Sequence, residues 1–268
     1  MALFDKEIGR ECALDITGQS EGACSPPPVI KQIAEHTEAE GLSPEAVIEH
    51  AKAKTGCETE KCVVKNTLGS DSNDVLSKHF KPIGPHNTTT WLNNHNIDQS
   101  LAQWKAQNPK FFHVPFQMID FQEPPATELG KLDMVKLIQE GYDTMGCAVN
   151  TDVRSGGGIH WFGIFCDFRG PSFTLEYFNS SGVLPYPEIH AWLVETQHEI
   201  NNANIGKKCD IVIASRIVHQ TSTSSECGNY TLYYIYSRLR GVPQSAFEHK
   251  RVPDEDMIEF RKALFSKD

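Results

Sequence analysis

A cysteine stands between an acidic residue and a glycine in the segment SSECGNY, directly before an aromatic-rich run with helical periodicity. This residue, Cys227, is predicted to start a helix, where backbone amides favour negative charge. We therefore expect the pKa of the Cys227 thiol to lie below the free value of about 8.5, as a nucleophile requires. The next residue, Gly228, leaves room for a substrate carbonyl to approach the backbone N–H.

Two further segments place polar side chains at the ends of predicted strands. In GGGIHWFGIF a glycine loop leads into a strand with His160 near its start, and in LEYFNSSG a strand ends at Asn179. An imidazole can take the proton of a thiol, and an Asn on its far nitrogen fixes its tautomer and ring plane. Each residue alone has an ordinary explanation, as a buried thiol, a core histidine or a turn asparagine. Their order and their positions at element boundaries favour a catalytic set.

The charge balance restricts the partners of the chain. Its 268 residues include 25 Lys plus Arg against 35 Asp plus Glu, a formal net charge of −10. Nucleic acids and anionic membranes are bound by clustered basic residues, so we expect neither as a primary partner. No apolar run approaches the roughly 18 residues of a membrane span, and residues 1–10 are too charged for a signal peptide. We expect a protein that is made and used in a cytosol.

The eight cysteines are spread along the chain without a secretion signal, so we expect them to be reduced. Cys57 and Cys62 frame the segment CETEKC, but no second pair lies nearby to complete a tetrahedral zinc site. We therefore predict no metal and no cofactor. Apart from Cys227, the thiols are expected to be small buried hydrophobic side chains.

The first eighty residues are predicted to be helical. In LSPEAVIEHAKAKTG, Ser43 is the expected N-cap, Pro44 the first helical residue and Gly56 the stop, and PPPVIKQIAEH gives a shorter helix. The stretch KPIGPHNTTTWLNN is rich in Pro, Gly, Asn and Thr and marks a boundary. We divide the chain into an N-terminal helical arm, residues 1–82, and a core, residues 83–268.

The core has the pattern of an α+β domain. Short β-rich runs are bounded by Gly, Pro, Ser or Asn, namely MGCAVN, IHWFGIFCDF, FTLEYF and KCDIVIAS, and the extended segment FFHVPFQMIDF precedes them. Periodicity and capping predict helices in IDQSLAQWKAQ, PEIHAWLVETQHEINNAN, GNYTLYYIYSRLRG and PDEDMIEFRKALF. The sequence therefore predicts a small central sheet flanked by helices.

These segments carry a resemblance to known cysteine proteases. A His-Trp pair opening a strand, an Asn or Asp ending the next strand and a Cys-Gly pair opening a helix resemble the SUMO/ubiquitin-like-protein peptidases and the adenovirus protease. Over most of its length the chain is similar to the family of the African swine fever virus virion-maturation protease. The matching segments are GPHNTTTWLNNHNIDQSLAQW, KFFHVPFQMIDF, NTDVRSGGGIHWFGIFCDFRG, LEYFNSSG, HQTSTSSECGNYTLYYIYSRL and DEDMIEFRKALF.

The resemblance implies a papain-like core behind an N-terminal arm, and cleavage of viral structural polyproteins after Gly-Gly at host cytoplasmic assembly sites and in the virion. It implies that Cys227 is the nucleophile, His160 the general base and then acid, and Asn179 the orienting residue. Gln220 matches the glutamine that donates to the oxyanion, together with a backbone N–H near Cys227. Trp161 matches the wall of a channel that admits only glycines before the scissile bond.

Several alternatives stay open at this point. The stretch from Gln220 to Cys227 is one residue longer than in the swine fever enzyme, so His219 or Ser224 could take the place of Gln220. Trp161 could instead be a core residue, because neighbours on a strand alternate between faces. The protein could be an isopeptidase that removes SUMO-like or ubiquitin-like modifiers, whose tails also end in Gly-Gly, or a catalytically silent virion scaffold. The oligomeric state is open.

Overall fold

The computed structural model describes residues 11–14, 22–85, 87, 89–214 and 216–267. These residues form two compact units, one of residues up to 84 together with those from 259 onward, the other of residues 85–258. The predicted division after residue 82 lies two residues away from this one. It also gave the C-terminal stretch to the core, whereas Ser266 donates its backbone N–H to Pro82 and accepts from Gly84, both in the N-terminal unit.

Helices α1 to α4 build most of the N-terminal unit; they are Pro27–Thr37, Pro44–Thr55, Glu60–Leu68 and Ser72–His79. The predicted signals at α2 are confirmed: the Ser43 side chain accepts from the backbone N–H of Ala46, and Gly56 ends the helix with φ 74°. A residue with a side chain rarely adopts such a φ, which is why a glycine stops this helix. Apolar residues of α1, α2 and α3 form a core of their own.

The expectation that all cysteines are reduced is wrong for four of the eight. Cys12 bonds to Cys24 and Cys57 to Cys62, with Cα–Cα distances of 4.9 and 5.6 Å. The sequence could not show that Cys12 lies beside Cys24, or that Cys57 meets Cys62 across the start of α3, which is capped by Thr59. Disulfides are unusual in a cytosol, whose thiols are kept reduced. The remaining four cysteines are free and buried, and all lie in the other unit.

One mixed sheet lies in the unit of residues 85–258, and among the described residues it has six strands in the order β1-β3-β4-β5-β6, with β2 also paired to β3. Strand β4 is antiparallel to both β3 and β5. The pairs β1–β3, β2–β3 and β5–β6 are parallel. The strands are Phe111–His113, Gln117–Met118, Thr144–Asn150, Trp161–Asp167, Phe173–Phe178 and Cys209–Ile213. The helices are α5 Asn94–Gln107, α6 Met134–Gln139, α7 Pro187–Asn202, α8 Cys227–Leu239 and α9 Asp254–Leu264, whose last residues belong to the N-terminal unit.

Both faces of the sheet are covered by helices, which confirms the predicted α+β architecture. Residues such as Phe162 and Ile164 of β4 share a core with Trp192 and Leu193 of α7. The residues of β4 that alternate with these face α8. Gly163 is one of them, and a β-carbon at this position would lie 3.6 Å from the side chain of Thr231. Because strand neighbours point to opposite faces, strands covered on both sides are buried and mostly apolar along their length, as β3 and β4 are.

A buried ion pair fixes α8 on the sheet. Glu176 of β5 is fully buried and accepts two hydrogen bonds from the guanidinium of Arg238, at 2.8 Å each. The hydroxyl of Tyr234 donates to the same carboxylate at 2.6 Å, and Arg238 also reaches Asp167 of β4 at 3.0 Å. Such a pair is held by geometry because either charge alone would be costly to bury. The helix that starts at Cys227 is therefore fixed at its far end.

Candidate active site

Cys227 is the first residue of α8, as predicted, and its side chain is 4% exposed. A turn delivers it there: the N–H of Ser224 donates to the carbonyl of Thr221, and the N–H of Glu226 donates to the hydroxyl of Ser224. Glu226 then accepts the first hydrogen bond of the helix, from Tyr230. The thiol therefore lies where the unpaired amides of a helix start converge.

The expected low pKa of Cys227 is not what the structure gives. Burial raises the pKa of the Cys227 thiol above its ordinary value, the backbone amides of Trp161 and Gly228 act in the opposite direction, and the charge of Glu226 raises it further. Desolvation disfavours a thiolate, and in this site it outweighs the helix start. The raised pKa favours the neutral thiol of Cys227 over the thiolate.

The candidate base is His160. His160 comes immediately before Trp161, the first residue of β4, at the end of the glycine loop. Its Nε2 is 2.8 Å from Oδ1 of Asn179, which is fully buried directly after β5. Burial lowers the pKa of His160, and the hydrogen bond that its ring donates to Asn179 only partly offsets this. The imidazole is therefore neutral near pH 7 and able to accept a proton.

The neighbours of Asn179 fix the tautomer of the imidazole. Oδ1 of Asn179 accepts from the backbone N–H of Ser181 at 3.0 Å and from its hydroxyl at 2.7 Å, while Nδ2 donates to the hydroxyl of Tyr177 at 3.0 Å. A backbone N–H can only donate, so the amide oxygen must face His160. Nε2 of His160 then carries the hydrogen, and the lone pair lies on Nδ1.

Gln220 is hydrogen-bonded to the loop that carries Asn179. The backbone amides of His219 and Gln220 donate to the carbonyl of Ser180 at 2.8 and 3.0 Å. The hydroxyl of Ser180 donates to Oε1 of Gln220 at 2.8 Å, and Nε2 of Gln220 donates to the carbonyl of Ser224 at 2.7 Å. A side-chain amide carries two N–H groups, so one of them serves the carbonyl of Ser224 and the other can serve a ligand.

The two alternatives to Gln220 have other roles. His219 is fully buried; its Nδ1 accepts from the N–H of Val252 at 3.1 Å, and its Nε2 is 3.0 Å from the carbonyl of Phe247. Both ring nitrogens are thus occupied by backbone partners, which makes His219 a core histidine. Ser224 binds Gln220 through its carbonyl and caps Glu226 through its hydroxyl.

Trp161 is only 6% exposed and lines a pocket of about 500 Å³. Its indole Nε1–H donates to the carbonyl of Leu92 at 3.0 Å, and Phe116 meets its ring edge-on with centroids 6.1 Å apart. A Cβ at Gly228 would lie 3.0 Å from Cβ of Leu92. The glycine after the nucleophile therefore admits Leu92, which in turn holds the tryptophan.

The other walls of this pocket were not identified from the sequence. They come from the segment before α5, from β2 and from the glycine loop, and include Trp91, Phe116, Met118, Arg154, Gly157 and Ile159. Trp91 lies within a segment that matched the protease family, which was its only signal. The loop is held by Asp152, whose carboxylate accepts from the N–H of Gly158 at 3.0 Å and fills the position that a side chain at Gly156 would take.

No group of His, Cys, Asp or Glu that could hold a metal ion occurs in the part of the chain that the structure describes. Among the same residues, no helix has both the length and the apolar composition needed to cross a bilayer. The site itself consists of a thiol, an imidazole and side-chain amides. These groups can perform nucleophilic acyl transfer without further components.

No protein-family model matches the chain, but individual relatives do. It is 35% identical over 235 residues to the SUMO-1 cysteine protease S273R of African swine fever virus, which covers 80% of this chain and 85% of the relative. The crystal structure of the African swine fever virus pS273R protease superimposes with a TM-score of 0.77 at 31% identity, covering 99% of this chain and 97% of the other. The selenomethionine form of that protease gives a TM-score of 0.74 at 29% identity, with the same coverage.

Fold and relatives together define a cysteine protease of α+β architecture. The chain belongs to the family of the African swine fever virus S273R cysteine proteases.

Proposed function

We propose that this protease cleaves viral structural polyproteins after Gly-Gly, with Cys227 as nucleophile, His160 as base and acid, and Asn179 as the orienting residue. One observation carries the proposal: the backbone amide of Trp161 acts to lower the pKa of the Cys227 thiol, and the same residue lines the adjoining pocket. A substrate in that pocket therefore lies beside the nucleophile. The tryptophans Trp91 and Trp161 and the glycine loop line that pocket, and we infer that it takes residues without side chains.

The reaction follows from the positions of the donors and acceptors. His160 takes the thiol proton at Nδ1 while the sulfur of Cys227 attacks the carbonyl carbon after the second glycine. The oxyanion is stabilised by the amide of Gln220 and the backbone N–H groups at the start of α8. The imidazolium then protonates the leaving amine, and a thioester remains. A water molecule, deprotonated by His160, hydrolyses this thioester.

The proposed setting is the host cytoplasm, where particles assemble, and the virion. Polyprotein cleavage at that stage needs an enzyme that is packaged with its substrate. A released particle is exposed to an oxidising environment, in which the disulfides Cys12–Cys24 and Cys57–Cys62 persist.

The experiment compares peptides with Gly-Gly-X, Gly-Ala-X and Ala-Gly-X sites, and a SUMO-like precursor, using the purified full chain. We expect the Gly-Gly-X peptide alone among the three to be cleaved, with the new terminus located by mass spectrometry. Cys227→Ser should abolish cleavage, and His160→Ala should lower it by about 10²–10⁴-fold. Cys209→Ser is the matched control, because it removes a buried thiol outside the site and should retain activity.

Two results would contradict the proposal. Cleavage by the Cys227→Ser variant would remove the nucleophile assignment. Rapid processing of the SUMO-like precursor with no cleavage of any peptide would show that the protein is a deconjugating enzyme and not a polyprotein protease.

A further inference from the structure

The exposed apolar side chains of the catalytic unit are not scattered. Among its described residues, the large apolar side chains that stay exposed are Trp91, Val153, Ile159, Val183, Leu184 and Val218. Trp91 and Ile159 line the pocket beside Trp161, and Val153 belongs to the same loop. The other three, which we call the aliphatic patch, are Val183, Leu184 and Val218. Single exposed apolar residues are ordinary, but groups of them mark interaction sites.

The aliphatic patch is built on the two loops that carry Asn179 and Gln220. Gly182 lies so close to the second loop that a Cβ there would be 3.1 Å from the carbonyl carbon of Ile217 and 3.2 Å from the nitrogen of Val218. The hydrogen bonds of Ser180 to Gln220 join the same loops one step nearer the catalytic residues. The patch therefore adjoins the catalytic residues on the side of Asn179.

We propose that the aliphatic patch binds substrate residues that follow the scissile bond and selects a large aliphatic side chain among the first two of them. This inference rests on the proposed function, which assigns the pocket to the glycines before that bond. The substrate chain must continue beyond the nucleophile. Its leaving amine must meet the imidazole of His160, whose far nitrogen is held by Asn179. The departing segment then passes over the loop that runs from Asn179 to Leu184.

The exposure of the patch sets the size of the effect. Leu184 is 63% exposed, Val218 58% and Val183 44%, so each has surface to bury against a ligand. A hydrophobic contact that differs by a few methylene groups changes kcat/KM by about 10–200-fold. We expect the lower part of that range, about 10-fold to 30-fold, because an open patch covers only one side of a bound side chain.

The test uses two peptides that differ only after the glycines, Gly-Gly-Leu-Leu and Gly-Gly-Ser-Ser, within the same flanking sequence. The parent should cleave the leucine peptide about 10-fold to 30-fold better in kcat/KM. Leu184→Ser and Val218→Ser, made separately, should each reduce this ratio, and together bring it close to one. Leu42→Ser is the matched control, since Leu42 is a 49% exposed leucine of the N-terminal unit; it should keep the parent's ratio.

A Gly-Gly coumarin amide, which has no residue after the scissile bond, separates the two proposals. If the parent hydrolyses neither this amide nor any Gly-Gly peptide, the proposed function fails and the patch loses its basis. If the parent cleaves the leucine and serine peptides equally, or if the double variant keeps the parent's preference, the patch does not bind the residues after the scissile bond. Either result leaves the proposed function unchanged.

Discussion

The indole N–H of Trp161 is bonded to the carbonyl oxygen of Leu92 at 3.0 Å. This bond holds the ring that lines the pocket, while the backbone amide of the same residue favours the thiolate of Cys227. The shape of the pocket and the reactivity of the nucleophile therefore depend on one residue.

Replacing this ring should relax the demand for glycine. In the parent, an alanine in place of either glycine before the scissile bond should block cleavage, because its β-carbon meets the walls. Trp161→Ala should cleave the Gly-Ala-X peptide, at a rate roughly 10-fold to 100-fold below the parent's on Gly-Gly-X, since the substrate is positioned less well. Trp104→Ala removes a buried tryptophan outside the pocket and should not admit alanine. Equal cleavage of both peptides by the parent would refute the channel.

The role of Asn179 can be separated from packing by two substitutions. Asn179→Asp keeps an oxygen acceptor for Nε2 of His160 and for Ser181, and its second oxygen can accept from the hydroxyl of Tyr177. Activity should fall by less than about 10-fold. Asn179→Ala leaves the imidazole without a partner and should lose about 10²-fold or more. Equal losses in both variants, measured as kcat/KM, would show that the side chain only packs.

The amide of Gln220 should act on the transition state. Gln220→Ala should lower kcat by about 10²–10³-fold with little change in KM, because an oxyanion donor binds the transition state more than the substrate. Ser180→Ala removes only the hydroxyl that holds Oε1 of Gln220, so its effect should be smaller and in the same direction. A larger loss in Ser224→Ala than in Gln220→Ala would move the donor to Ser224.

The resting state of the site should show in its pH dependence. Burial raises the pKa of Cys227 and lowers that of His160, so both groups are neutral near pH 7. The thiolate then forms only as the pH rises, and the rate of alkylation by iodoacetamide should keep increasing above about pH 8.5. His160→Ala should show the same rise, because the imidazole is uncharged there. A plateau between pH 5 and 7 would indicate a resting thiolate–imidazolium pair instead.

The two disulfides can be counted chemically. Under denaturing conditions without reductant, a thiol reagent should find four free cysteines, and after reduction it should find all eight. Digestion and mass spectrometry should give the pairs Cys12–Cys24 and Cys57–Cys62. Eight thiols before reduction would restore the expectation drawn from the sequence.

Local patterns made much of the fold predictable. The caps at Ser43 and Gly56 and the apolar runs of β3 and β4 are decided by neighbours in sequence, and they agree with the structure. Helix α6, six residues long, has no periodicity to detect. The disulfides depend on which segments of the chain meet in the folded protein. The distribution of the cysteines in the sequence had instead suggested that all of them are reduced.

The sequence predicted on which elements the candidate site residues lie, but it did not predict their protonation or their hydrogen-bond partners. Strand and helix boundaries at His160, Asn179 and Cys227 pointed to the right elements. The raised pKa of Cys227 could not be foreseen, since it depends on how deeply the sulfur is buried. Likewise, only the tertiary structure shows that His219 has both nitrogens occupied.

The distribution of the cysteines sets opposing chemical demands on anyone who handles the protein. A nucleophilic thiol is protected by a reductant from oxidation to sulfenic and sulfinic acids, whereas the same reductant opens disulfides by thiol exchange. A preparation in dithiothreitol therefore preserves Cys227 and releases the two bridges of the N-terminal unit. A preparation without it keeps the bridges and leaves Cys227 unprotected. Rates measured in the two buffers belong to two different covalent forms of the chain.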